Sequence, residues 1–136
     1  MLQARPKSVL LLLPLLLLLM AFRQAPLVDP PPIAVSPKLD LAQVEKSVKQ
    51  ALVKREWLIV SDEPGKITAS YDRREFTSRI GITYDNKQVQ VSYITSTGLK
   101  YEVKKDGEKL IHKNYMAWIQ NLVTDISSYL TLASIQ

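Results

Sequence analysis

Hydrophobic and polar positions alternate with period two along three successive stretches of this chain. Ile67, Ala69 and Tyr71 alternate with Lys66, Thr68, Ser70 and Asp72. Phe76, Ser78, Ile80, Ile82 and Tyr84 alternate with Thr77, Arg79, Gly81 and Thr83, and Val89, Val91 and Tyr93 with Gln88, Gln90 and Ser92. A strand sends successive side chains to opposite faces, so the pattern predicts an antiparallel meander with one dry face. The short apolar stretch 57–60 adds a strand ahead of these, giving four. Turn chemistry separates them: Glu63-Pro64-Gly65, Arg73-Arg74 and Asp85-Asn86. Leu99, Tyr101 and Val103 also alternate, which leaves a fifth strand over 99–104 open.

The period changes to three and four on either side of the meander. Leu41, Val44, Val48, Ala51 and Leu52 form one helical stripe, with Asp40 and Gln43 placed as a capping box and Leu39 and Val44 as a hydrophobic staple. Tyr115, Trp118, Ile119, Leu122, Val123, Ile126, Tyr129 and Leu130 form a second. Two striped helices and a one-sided sheet bury best in two layers. The expected fold is α+β: a two-layer sandwich, a four-stranded antiparallel meander with two helices on one face, in the order α-β-β-β-β-α over residues 39–136.

Residues 1–25 have a different texture. Arg5 and Lys7 precede an apolar run from Val9 to Phe22, interrupted only by Pro14. Such a run, at about 1.5 Å per residue, reaches roughly 21 Å, short of the ~30 Å hydrocarbon core. A basic start and a leucine-rich centre are the layout of a signal peptide. Small residues at Ala21 and Ala25 offer cleavage points, and an uncleaved N-terminal anchor is the alternative. Either way, positive charge before the run keeps the N-terminus inside and sends the domain out. Residues 26–38 hold Pro26, Pro30, Pro31, Pro32 and Pro37, and read as an extended Pro-rich linker.

Charge and cysteine content narrow the function classes. The whole chain carries a formal +5, but Arg5, Lys7 and Arg23 belong to the leader, and only +2 remains beyond residue 25. The other cations are interleaved with acids, as in Asp72-Arg73-Arg74-Glu75, the pattern of a solvated surface with no stripe for nucleic acid. With no cysteine, disulfides and thiolate metal sites are excluded.

Catalytic motifs are missing as well. The sequence has no Gly-rich phosphate loop, no serine elbow and no metal-spaced cluster, and His112 is its only histidine. At the start of the second helix, His112 reads first as a structural hydrogen-bonding group. Trp57 and Trp118 read as packing residues, Trp118 facing the sheet. The wet sheet face, with Lys66, Thr68, Ser70, Thr77, Arg79, Thr83, Gln88, Gln90 and Ser92, carries hydroxyls, amides and two cations suited to hydrogen-bonding a glycan or peptide. Candidate interaction residues are Arg74, Arg79, Gln90, His112 and Asn114; no catalytic, cofactor or metal residue is expected.

Four blocks stand in order here: KREWLIVSDEPGKITA at 54–69, RIGITYD at 79–85, VSYITSTGLKY at 91–101 and IHKNYMAWIQNLVTDI at 111–126. Together they resemble a family of small uncharacterised exported envelope proteins and lipoprotein-like proteins of Gram-negative bacteria. The resemblance covers nearly the whole domain and implies export and a compact α+β fold, with no activity attached. The chain departs from the family pattern in two places. It lacks the lipobox cysteine after the leader, and Arg74-Glu75-Phe76 stands where relatives tend to carry Arg-x-His.

The expectation is a non-enzymatic exported cell-envelope protein, periplasmic or anchored to the inner membrane with its domain on the periplasmic side. It acts by binding an envelope protein or cell-wall component, with no cofactor, no nucleic acid, and membrane contact only through an uncleaved N-terminal segment. The alternative is a small-ligand or glycan-binding module using the wet sheet face.

Overall fold

A computed structural model describes residues 23–136. The expected leader lies outside the described residues except for its last three. The elements run β1 (Gln24–Pro26), β2 (Ile33–Ala34), α1 (Leu41–Lys54), β3 (Leu58–Glu63), β4 (Lys66–Arg73), β5 (Phe76–Tyr84), β6 (Gln88–Thr97), β7 (Glu102–Val103), β8 (Lys109–His112) and α2 (Lys113–Ser134). The fold is mixed α+β with antiparallel sheets. Among the described residues no helix is long and apolar enough to cross a membrane.

The meander strands β3 to β6 pair in sequence order, but the sheet does not stop at four. It has five strands in the order β2-β6-β5-β4-β3, and a second sheet of three runs β1-β8-β7. Residues 99–104 do contribute a strand, β7, to that second sheet: Glu102 and Val103 pair with Leu110 and Lys109. The first strand begins at Leu58 and not at Trp57, because Trp57 is drawn into the core by the end of α1.

Alternation sets the dry face as expected, but Ser70, expected in water on the other face, is buried and donates to Asp72 at 2.8 Å. Ile67, Ala69, Ile80, Ile82, Val89 and Val91 are buried in one core with Val44, Val48, Ala51 and Leu52 of α1 and Ile119, Leu122 and Ile126 of α2. Full burial of one such side chain contributes about 1.5–3 kcal/mol. The capping box of α1 is complete: Asp40 Oδ1 accepts from the Gln43 amide at 2.8 Å and Gln43 Oε1 from the Asp40 amide at 2.9 Å. Leu39 is buried, whereas Leu41, expected on the stripe, is exposed in the first turn. Gly98 is sterically required, since a Cβ there would sit 2.1 Å from the Glu75 carbonyl oxygen. Its φ of 74° also favours glycine.

The Pro-rich segment is a strap and not a free linker. Gln24, Ala25 and Pro26 pair with His112, Ile111 and Leu110, and the Leu27 amide donates to the Lys109 carbonyl at 2.8 Å. Asp29 Oδ1 accepts from the Tyr93 amide, and the Pro30 carbonyl from the Gln90 side-chain amide, both at 2.9 Å. Ile33 and Ala34 then pair with Val89 and Gln88. Val35 and Leu39 anchor the end in the core. One strap thus joins the edge of the small sheet to the edge of the large one. Proline suits this place: β1 is an edge strand, where a missing N–H breaks no ladder.

Candidate functional site

The concavity that gathers the most varied chemistry forms where α1 ends. Lys54 closes the helix and Arg55 is its C-cap. The next residue, Glu56, has a φ of 64°. Its amide donates to the Val53 carbonyl at 3.1 Å, and the Trp57 amide to the Leu52 carbonyl at 2.9 Å. These two bonds make a Schellman motif, in which the residue after the cap turns left-handed and usually is glycine. Here a glutamate takes that position, at a conformational cost of about 1–2 kcal/mol. The turn drives Trp57 inward, to the same core as Leu52, and holds Arg55 and Glu56 outward at the rim.

Aromatic rings from three further elements complete the wall. Tyr71 of β4 lies 5.4 Å from Trp57 between ring centroids and meets Trp118 of α2 edge-on at 5.2 Å. Phe76 of β5 stacks on Trp118 at 4.8 Å. Trp118 faces the sheet as expected, against Tyr71 and Phe76, but is only half-buried. Its ring neighbours are Tyr71 and Phe76, and its remaining surface opens into the notch. Asn121, one turn further along α2, closes the far side. The space enclosed by Lys54, Arg55, Glu56, Trp57, Tyr71, Trp118 and Asn121 is about 270 Å³.

Each cation around this notch has an acid partner, though two of the three share one carboxylate. Asp125 of α2 is 5% exposed. It accepts from Arg55 Nε at 2.5 Å and Nη2 at 3.4 Å, and from Lys54 Nζ at 3.4 Å. The Arg55 hydrogen bond holds the Asp125 carboxyl below the usual carboxylate range and raises Arg55 above its ordinary value. At the rim, Arg73 pairs with Glu56 at 3.1 Å and lies over the Tyr71 ring, 4.0 Å from its centroid. The notch therefore offers flat rings and hydrogen-bonding heads with little net charge.

A larger groove of about 570 Å³ runs along the outer side of α1, by Val53 and Tyr129. One of its three lysines is committed: Lys49 bridges Glu45 at 2.7 Å and Asp62 at 2.6 Å, which raises its pKa. No ring stack or buried polar group converges on it, so the notch is the better candidate.

The residues singled out in the sequence do not converge. Arg74 is exposed in the β4–β5 turn, and Arg79 is exposed on the outer face of β5, opposite Ser70 and Thr95. Gln90 pairs with Thr83, four residues from Arg79 along β5 and so roughly 13 Å away. Its amide is occupied by the Pro30 and Val91 carbonyls, which removes it from the free polar face. His112 and Asn114 lie at the other sheet: His112 is the N-cap of α2, and its Nδ1 accepts from the Asn114 amide at 3.1 Å. Partial burial lowers the His112 pKa, helped by the cations Lys100, Lys113 and Arg23. Among the described residues no group of three His or acidic side chains is arranged to hold a metal ion.

Asp125, Arg55, Glu56, Tyr71 and Asn121 are the residues that pattern reading passed over. One signal was present. Asp125 falls three residues after Leu122 and directly before Ile126, so an acid sits on a stripe otherwise apolar. An acid there needs a buried partner. No protein-family model matches the chain, and no curated protein matches it.

Proposed function

We propose that this protein is a non-enzymatic, exported cell-envelope protein that acts by binding an envelope partner through the notch between α1, β4 and α2. The observation that carries the reading is the composition of that notch. Three aromatic side chains, Trp57, Tyr71 and Trp118, share one small concavity with Arg55, Glu56 and Asn121. Aromatic walls with a few convergent polar groups are the usual make-up of a binding site. Catalysis finds less support. The single histidine spends Nδ1 on capping α2, and the charges acting on it are cations, so no carboxylate orients it as a base.

Export rests on the basic start and apolar run of residues 5–22. The strap adds that the folded part begins at once after that run, so a retained anchor would hold the domain close to the bilayer. Two measurements test the proposal. A C-terminal phosphatase fusion, active only outside the cytoplasm, should give activity. A photo-crosslinking residue at position 121 should yield a discrete adduct in intact cells, and one at position 79 should not. An inactive fusion refutes export, and adducts only from position 79 refute the notch.

A further inference from the structure

Resting on the notch as the binding surface, we infer that its ligand is a saccharide, one pyranose ring of an envelope glycan seated against the open part of Trp118, since Arg73 already covers the Tyr71 ring. Size is the first argument. At about 270 Å³ the notch falls below the ~300–1,000 Å³ of sites for drug-sized ligands and suits a single ring of a longer chain.

Charge is the second. A phosphate ligand, with about two negative charges, needs several free cations, yet each cation here has an acid partner: Arg55 and Lys54 share Asp125, and Arg73 has Glu56, which leaves a single net positive charge. A cationic ligand needs an aromatic cage with unspent acid, and both acids here are paired. What remains is an aromatic surface, the Asn121 amide and the hydrogen-bond donors of Arg55 that do not face Asp125. A guanidinium carries five donors, and Asp125 takes those of Nε and one on Nη2.

A pyranose ring matches that set. One of its faces is a patch of C–H groups that packs on an aromatic ring, and its edge is a row of hydroxyls that both donate and accept. The Arg55 guanidinium, fixed by its ion pair with Asp125, is held at low entropic cost, as a ligand of many hydroxyls requires. An extended peptide would instead need backbone donors and acceptors at a free strand edge, and the notch presents side chains.

The protein carries its own reporter. Trp57 and Trp118 are its only tryptophans, and both line the notch. Full-length protein in mild detergent is titrated with the β-1,4-linked N-acetylglucosamine trisaccharide and, separately, with maltotriose. A saturable change in tryptophan emission with either supports the inference, and the sugar that gives it identifies an amino-sugar or a neutral-glucan source. Asn121→Ala, an exposed change checked by an unaltered urea midpoint, should weaken the fitted affinity about tenfold, while Arg79→Ala leaves it unchanged. Emission that stays flat with both sugars, while the position-121 crosslink persists, overturns the saccharide and leaves the binding notch standing. Loss of the crosslink as well overturns both. Binding abolished by Arg79→Ala and untouched by Asn121→Ala overturns the inference in favour of the outer sheet face.

Discussion

Arg55 Nε donates to Asp125 Oδ2 across 2.5 Å, tying the C-cap of α1 to the middle of α2. The carboxylate is buried, whereas Arg55 and Lys54 have side chains 39% and 54% exposed. The pair therefore joins the two helices without burying two charges, and the cations can return to water if the acid is lost.

Asp125→Asn should lower stability by about 1–2 kcal/mol at pH 7, at the modest end for a charged hydrogen bond because both cations stay wet. The sign with pH follows from the depressed folded pKa of Asp125. Its contribution is present above the unfolded value near pH 4 and is lost as pH falls through the folded value. Urea midpoints of the two proteins should differ at pH 7, and the gap should be smaller at pH 3. A gap of the same size at both would show that the pair is not its source.

Glu56→Gly should raise stability by about 0.5–1 kcal/mol. Glycine relieves the φ of 64°, and the Arg73 pair it gives up is exposed at the rim. Thermal unfolding measures this. If the same variant binds its ligand more weakly, the strained position is maintained for its carboxylate. A lower melting temperature would count against the strain.

His112 is the only histidine, and a protonated Nδ1 cannot accept from the Asn114 amide. Its folded pKa lies below 6.5, so the unfolded chain binds the proton first. Stability from His112 is complete above about pH 6.5 and is lost as pH falls through the folded value. His112→Asn keeps a capping side chain and removes the titration. Its stability between pH 7 and pH 5 should be flatter than that of the parent protein, and parallel curves would refute the assignment.

If the leader is removed, the cut should fall before Arg23. The Arg23 carbonyl accepts from the Lys113 amide at 2.7 Å, and Gln24 and Ala25 pair with β8, so cleavage after Ala25 would remove most of β1. Intact mass on purified mature protein reads this directly. A chain beginning at Pro26 would show that β1 is dispensable.

How much of this was legible depended on whether structure was written locally. The Asp40–Gln43 box and the alternation of β4, β5 and β6 are short-range patterns, and both appear where the sequence put them. The strap is different. Two- and three-residue strands have no period to detect, and Gln24 finds its register only from His112. The notch was hidden for a similar reason. Glycine marks a helix end, and Glu56 occupies that position without resembling it. Trp118 sits on the apolar stripe, but the stripe turns partly outward where Phe76 and Tyr71 receive it.

The strap also sets an order of events. Its residues are made long before their partners, since β6 and β8 come from the far half of the chain, with Gln24 facing His112. Closing so long a loop is slow relative to the local hairpins of the meander. The strap is thus the last of the described elements to find its place, after the meander and its helices. Pulsed hydrogen exchange during refolding would display this as late protection of the Leu27 and Val35 amides, which bond across to Lys109 and Lys87.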